Sequence, residues 1–424
     1  MANVLTKQKY NYMVRVLKEE LVPAMGCTEP IAIAYAAAKA RDVLGSFPDR
    51  AEIKVSGSII KNAKSVVVPH TDGMRGIEAA LIAGLVGGPS EHRLEVLSSI
   101  GKDEIARMKE VRETLPITVG LSEGCDVFDI AIRLFSGEDN VYVRITDRHT
   151  NIVTIEKNGK TVFTGETDMK QGEDYREMSV EEIVEFSNTV SIQDVKETLQ
   201  RQIDYNMKIA EEGLSGNYGA NIGTVYLSAY TNDLPTIAKA YASAGSDARM
   251  SGCELPVIIN SGSGNQGMTA SIPVIIYARK MGLGEDKLYR ALCISNLITI
   301  HVKRGIGTLS AYCGAVVAGA GAGCGIAYLY GGGFSEIAHT LVNALAIDSG
   351  LVCDGAKASC AAKIATAVEN GILGFNLYRA GKQFFDGDGI VKKGVENTIK
   401  SVTRLAREGM RETDKEILKI MLNE

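Results

Sequence analysis

No two of the eight cysteines stand in a C-x-x-C pair, which leaves a zinc ribbon or finger unsupported. There is no basic excess either: the net charge is -5 over 424 residues, so the electrostatic footprint of a nucleic-acid-binding protein is missing. The start, MANVLTKQKYNYMVRVLKEE, lacks the apolar core and small-residue cleavage site of a signal peptide, and a cytoplasmic protein is expected. Internal repeats and low-complexity tracts are not evident. From Gly305 to Ser335 charge is absent altogether, over a run long enough to span a bilayer. That run is built from Gly and Ala instead of Leu, Ile and Phe, so it reads as close backbone packing inside a helical core, and no membrane partner is expected.

What is present is an ordinary soluble balance, 45% hydrophobic and 23% charged, in a chain longer than one core usually supports. Two helices are expected at about 5–22 and 29–44, ending at Gly45. The pattern then turns strand-like in AEIKVSGSII, SVVVP, VFDIAIRLF, VYVRITD and IVTIEKNGKTVFTG, where Asn158-Gly159 signals a two-residue hairpin turn. Past Ser179 it reverts to helix, opening on the capping-box spacing Ser179 to Glu182. Helices follow at about 233–250, 267–282, 284–302, 335–346, 354–370 and 413–422. The fold class read from this is α+β. An all-helical domain made of residues 1–45 and 176–424 would carry an inserted α+β domain, residues 46–175, with a partly antiparallel sheet.

Three stretches carry candidate chemistry. In AMGC27TEPIAIAYAAAKA, Gly26 permits a turn, Thr28 can cap and Pro30 suits a first helical turn. Cys27 would thus face a helix N-terminus, whose dipole favours the thiolate over the thiol. In INSGSGNQGMTASIPV, Gly262-x-Gly264-x-x-Gly267 matches a dinucleotide fingerprint formally. The next strand-like run, LITIHV, ends in Lys303-Arg304 and lacks the acid a ribose hydroxyl needs. The loop reads better as an anion cradle, with Ser261, Ser263, Gly264, Asn265 and Gln266 as substrate-binding candidates. In VSGSIIKNAKSVVVPHTDGMRG, Ser56 and Ser58 could touch a small molecule, with Asn62, His70 and Asp72 following; a lone histidine is given little weight.

The remaining cysteines fall at GC253ELP, ALC293IS, AYC313GAVVAGAGAGC324 and LVC353DGAKASC360, with Cys125 in the strand-rich part. Cys353 and Cys360 would lie on adjacent faces of a helix beginning near Asp354. Thiolates are the usual iron-sulfur ligands, although C-x6-C is not a ferredoxin run and buried inert cysteines are the alternative.

Together, MGC27TEP, GC253ELPV with SGSGNQG, AYC313GA and VC353DGAKASC360 resemble the iron-sulfur L-cysteine desulfidases and their uncharacterised bacterial relatives, over nearly the whole chain. The helical half also resembles the α-chain of iron-sulfur L-serine dehydratases. The resemblance implies a 4Fe-4S cluster on Cys313, Cys353 and Cys360, one open iron, and Cys27 as proton acceptor. It implies β-elimination of L-cysteine to sulfide, ammonia and pyruvate. Cys293 and Cys324 are extra thiols that could replace one of the three. Serine dehydratases of this type end in a cysteine and space the last two ligands more widely, whereas this sequence ends IMLNE; both differences favour the desulfidase side. The partner expected is a small amino acid, and a homo-oligomer is allowed. Competing readings are an L-serine dehydratase, a pyridoxal-phosphate lyase with Lys357 as Schiff base, and a non-catalytic metal, redox or amino-acid-binding protein.

Overall fold

A computed structural model describes residues 5–122, 127–166 and 178–423. Cys125 lies outside them. The chain opens with α1 (Lys7–Glu20), a three-residue strand β1 (Pro23–Met25) and α2 (Thr28–Leu44), which stops at Gly45 in the left-handed conformation. The strand-rich part follows: β2 (Arg50–Val55), α3 (Gly57–Ala63), α4 (Gly76–Val86), α5 (Lys102–Thr114), β3 (Ile117–Leu121), β4 (Asp129–Ser136), β5 (Asp139–Thr146), β6 (Ile152–Lys157) and β7 (Lys160–Thr164).

These six strands form one sheet in the order β3-β2-β4-β5-β6-β7, with β2 and β3 parallel and the other neighbours antiparallel. The class is α+β, as the patterning predicts. Period-2 burial explains the register: Ile130, Ile132 and Leu134 of β4 and Val141, Val143 and Ile145 of β5 are fully buried on one face, where α2 packs. Asn158 and Gly159 both take positive φ, 52° and 73°, as a tight hairpin between β6 and β7 requires. Two local expectations differ. GSII continues as α3 because the Ser56 hydroxyl accepts from the Ile59 N–H and caps a helix there, and SVVVP makes only an isolated bridge, Val67 to Arg75.

From α6 (Val180–Thr189) onward the structure is almost all helical: α7 (Ile192–Ser215), α8 (Ile222–Ala229), α9 (Leu234–Met250), the short strand β8 (Pro256–Ile258), α10 (Gly264–Lys280), α11 (Glu285–Ile306), α12 (Gly314–Leu329), α13 (Phe334–Ile347), α14 (Cys360–Arg379), α15 (Val395–Arg404) and α16 (Arg411–Leu422). The Ser179–Glu182 capping box forms as read, with both reciprocal bonds made. LITIHV lies inside α11. The Gly/Ala run is α12, buried along nearly its whole length between α10, α11, α13 and α14. A Cβ on Gly319 would stand 2.2 Å from the Ala367 carbonyl oxygen, and one on Gly323 2.3 Å from that of Gly371, so glycine here permits backbone-to-backbone contact with α14. Among the described residues, no helix is long and apolar enough to cross a membrane.

The helix read as starting near Asp354 instead begins at Cys360. Gly355 takes φ 98° against the Lys61 carbonyl, and the Asp354 carboxylate is bonded by Lys363, so residues 354–359 form a loop and Cys353 precedes it.

Candidate active site

Two short pairings bring the distant motifs together. Strand β1 pairs antiparallel with β8, Pro23 opposite Ile258 and Met25 opposite Pro256, so the MGCTEP turn lies beside the SGSGNQG loop. Cys313 N–H donates to the Leu351 carbonyl at 3.1 Å and Cys353 N–H to that of Ala311 at 2.6 Å, which sets the two cysteines side by side. Cys360 joins them from the first residue of α14. One cavity of about 100 Å³ is lined by Cys27, Cys313, Cys353 and Cys360 together with Ser261, Ser263, Asn265 and Gln266. A larger cavity of about 620 Å³ adjoins it and shares His149, Ser261, Gly262, Lys303 and Thr308.

Cys27 is the residue before the first turn of α2, as the sequence suggests, and Gly26 makes the preceding turn at φ 61°. Its ionisation differs from the expectation. The side chain is 1% exposed, and burial pushes the thiol up to about 12, aided by Glu29 and Cys360 and opposed by Arg249. Its Sγ lies 3.9 Å from the Met250 sulfur. The dipole does not outweigh desolvation, and Cys27 is a thiol at neutral pH in this state. Thr28 does not cap; its hydroxyl donates to the Glu29 carboxylate at 3.2 Å.

The glycine loop is shaped by a reciprocal bond pair between Asn260 and Ser263 at 3.1 Å, with Ser261 and Gly262 at positive φ between them. Ser263 then starts α10, accepting from the Gln266 N–H at 3.5 Å. Gly264 is not on the cavity wall; its missing Cβ leaves room for the Arg249 guanidinium, whose Nε would lie 2.4 Å from it. Ser56 and Ser58 also fall outside the cavity: Ser56 caps α3 and donates to the Val127 carbonyl at 2.8 Å, while Ser58 donates to Asp414 at 3.3 Å. Of that stretch only Asn62 reaches the wall; His70 faces Glu254 at 3.4 Å instead.

The wall also holds groups the sequence reading passed over. His149, in the turn after β5, is brought in by the sheet and packs edge-on against Phe128, ring centroids 4.8 Å apart. Its Nε2 is 3.9 Å from the Glu29 carboxylate and makes no hydrogen bond. Glu29 is buried, which alone would raise its pKa, but His149 and Arg249 hold it below the usual carboxylate range. Lys303 is buried with its ammonium donating to the Gly307 and Thr308 carbonyls, the latter at 3.0 Å, and burial pulls it down to about 8. The dipeptide Lys303-Arg304 was visible as a departure from the dinucleotide pattern; nothing local marked His149. Lys357 is turned away, paired with Asp354, and does not line the cavity. Cys293 and Cys324, both fully buried in α11 and α12, do not line it either.

Cysteine thiols are the usual donors to iron-sulfur clusters, and three of them line this cavity. Among the described residues no three His, Cys, Asp or Glu side chains are close enough to hold one metal ion. Burial, Cys353 and Cys360 all raise the Cys313 thiol, so three thiolates could coexist here only around a cationic group.

A buried, thiol-lined pocket at the meeting of a helical body and a mixed sheet, closed by a glycine loop at a helix start, defines a small-molecule site of enzyme type. The family model of the serine dehydratase alpha chain matches residues 91–419. A UPF0597 protein of Desulfitobacterium hafniense (strain Y51) is 58% identical over 418 residues, covering 98% of this chain and 97% of that one. UPF0597 proteins of Lachnoclostridium phytofermentans and Finegoldia magna are 51% and 47% identical, covering 98% and 97% of this chain and 100% and 99% of their own. The chain belongs to the serine dehydratase alpha-chain family and to the UPF0597 proteins, and is serine dehydratase-like at the family level.

Proposed function

We propose that this protein is an iron-sulfur lyase that carries out β-elimination on a small amino acid, L-cysteine first and L-serine second. The observation that carries the reading is the convergence of Cys313, Cys353 and Cys360 on the cavity that also holds Cys27 and the glycine loop. In this reading the three cysteines hold a 4Fe-4S cluster, which when bound would supply an open iron as Lewis acid for the departing group. The protein's own residues do the rest. The loop at Ser261, Ser263, Asn265 and Gln266 holds the substrate, and the depth of the pocket excludes water.

Cys27 is the proposed proton acceptor at the α-carbon. Because its thiol is protonated in the ligand-free state, it must lose that proton before it can act. His149 supports a second assignment of the base: its Nε2, 3.9 Å from the Glu29 carboxylate and without a hydrogen-bond partner, lies on the same wall. Once the α-proton has gone and sulfide has left, aminoacrylate tautomerises and hydrolyses to pyruvate and ammonia without help from the protein. We also read the sheet-bearing residues 46–175 as an inserted unit that contributes Asn62 and His149 to the cavity wall.

Anaerobic preparation with iron and acid-labile sulfide counted per chain, followed by L-cysteine, tests the reading. Sulfide and pyruvate should appear in equal amounts. Cys313→Ser, Cys353→Ser and Cys360→Ser should each lose iron. Cys27→Ala should keep iron and lose turnover if Cys27 is the base; turnover that survives in Cys27→Ala but not in His149→Asn moves the role to His149. A full iron complement with neither product from L-cysteine or L-serine would sink the lyase.

A further inference from the structure

Arg249, in the last turn of α9, is 3% exposed and lies on the cavity wall with Cys27. It has no carboxylate within ion-pair distance among the described residues. Its Nη1 donates to Asn265 Oδ1 at 3.1 Å, and its Nε is buried without any hydrogen-bond partner. A guanidinium stays charged in proteins, and an uncompensated buried charge is strongly unfavourable. Glu29 is the one carboxylate among the described cavity-lining residues; it sits opposite His149 and outside ion-pair distance of Arg249, so it offsets the guanidinium only from further off. The site therefore has a cation in need of an anion.

A second buried group supplies the opposite need. Gln266 lines the same cavity, and its Oε1 is an acceptor with no donor. Both side chains are admitted by glycine. A Cβ on Gly264 would collide with Arg249 Nε at 2.4 Å, and one on Gly314 with Gln266 Cδ at 2.6 Å. A donor fork and a lone acceptor in one small cavity match a ligand carrying a carboxylate and an ammonium. Lys303 is less suited to the anion, since two carbonyls already engage its ammonium.

We propose that Arg249 is the carboxylate anchor of this site, with Gln266 accepting from the ligand's ammonium, so that the site selects a free α-amino acid over an amine or an amide. That this ligand is a substrate rests on the lyase reading; that it binds does not. Asn265 then orients the guanidinium, which gives the glycine loop its part in carboxylate binding through Arg249.

Calorimetric titration of the iron-loaded full chain with L-alanine, which has no leaving group, tests the anchor. Wild type should bind L-alanine and reject ethylamine and L-alaninamide. Arg249→Met should bind L-alanine roughly tenfold to a hundredfold more weakly, as expected for loss of charged hydrogen bonds, and Arg249→Lys should recover part of it. Should Arg249→Met fail to fold, Gly264→Ala, which displaces Nε, should weaken L-alanine binding in the same direction. The anchor is overturned if wild type does not bind L-alanine, if it binds ethylamine as tightly, or if both variants bind L-alanine like wild type. L-alanine binding through Arg249 without turnover of L-cysteine would sink the lyase alone; unchanged KM for L-cysteine in Arg249→Met would sink the anchor alone.

Discussion

At Cys27 two residue-scale effects compete, and their sizes decide the outcome. A helix N-terminus favours a neighbouring anion by up to about 2 kcal/mol. Full burial can move a pKa by several units at about 1.4 kcal/mol each. The thiol is accordingly pushed up to about 12 by burial. Iodoacetamide at pH 8 should leave Cys27 unmodified in the folded protein and label it after denaturation, read by mass spectrometry of the peptides. Asp247 shows the same physics in a carboxyl: it is fully buried, accepts from the Gly223 N–H at 3.1 Å, and burial raises it to about 6. Since its folded pKa lies above its unfolded value, the stability it contributes is present below about pH 4 and lost as pH rises through 6. Asp247→Asn should therefore be more stable than wild type at pH 8, by up to about 3 kcal/mol, and the gain should vanish near pH 4, measured by urea unfolding at each pH.

Among the elements, legibility followed periodicity. The strands with alternating burial, the Asn158-Gly159 hairpin, the Ser179 capping box and the Gly45 stop were readable because each depends on neighbours in sequence. The start of α14 was not, because the loop before it is held by the Lys61 carbonyl against Gly355, a contact from nearly 300 residues away in sequence. The Gly/Ala run was read correctly as packing. Its partner was invisible: Gly371 of α14 faces Gly319 so closely that a Cβ would lie 2.0 Å from the Gly319 oxygen. Gly371→Val should cost about 3 kcal/mol through overpacking, seen as a lower denaturation midpoint with unchanged slope.

The whole molecule works by joining its ends to its middle. α16 packs on α3, where Asp414 pairs with Lys61, and Lys61 also donates to the Cys353 carbonyl at 3.3 Å. A C-terminal carboxylate thus steadies the loop of a proposed cluster ligand. Asp414→Ala should fold, yet lose iron to a chelator faster than wild type, followed by bleaching of the visible absorption under anaerobic conditions. Unchanged loss would make the contact purely structural.

The sequence alone determined the class of fold, the residue before α2, the glycine loop and three cysteines worth watching, because helix caps, turns and alternation act over a few residues. Tertiary structure decided the rest. The pairing of β1 with β8 and of the 311–313 segment with 351–353 put those cysteines on one wall. Burial set the protonation of Cys27 and left the Arg249 Nε without a hydrogen-bond partner. Desolvation depends on everything packed around a group, and no local pattern of residues encodes it.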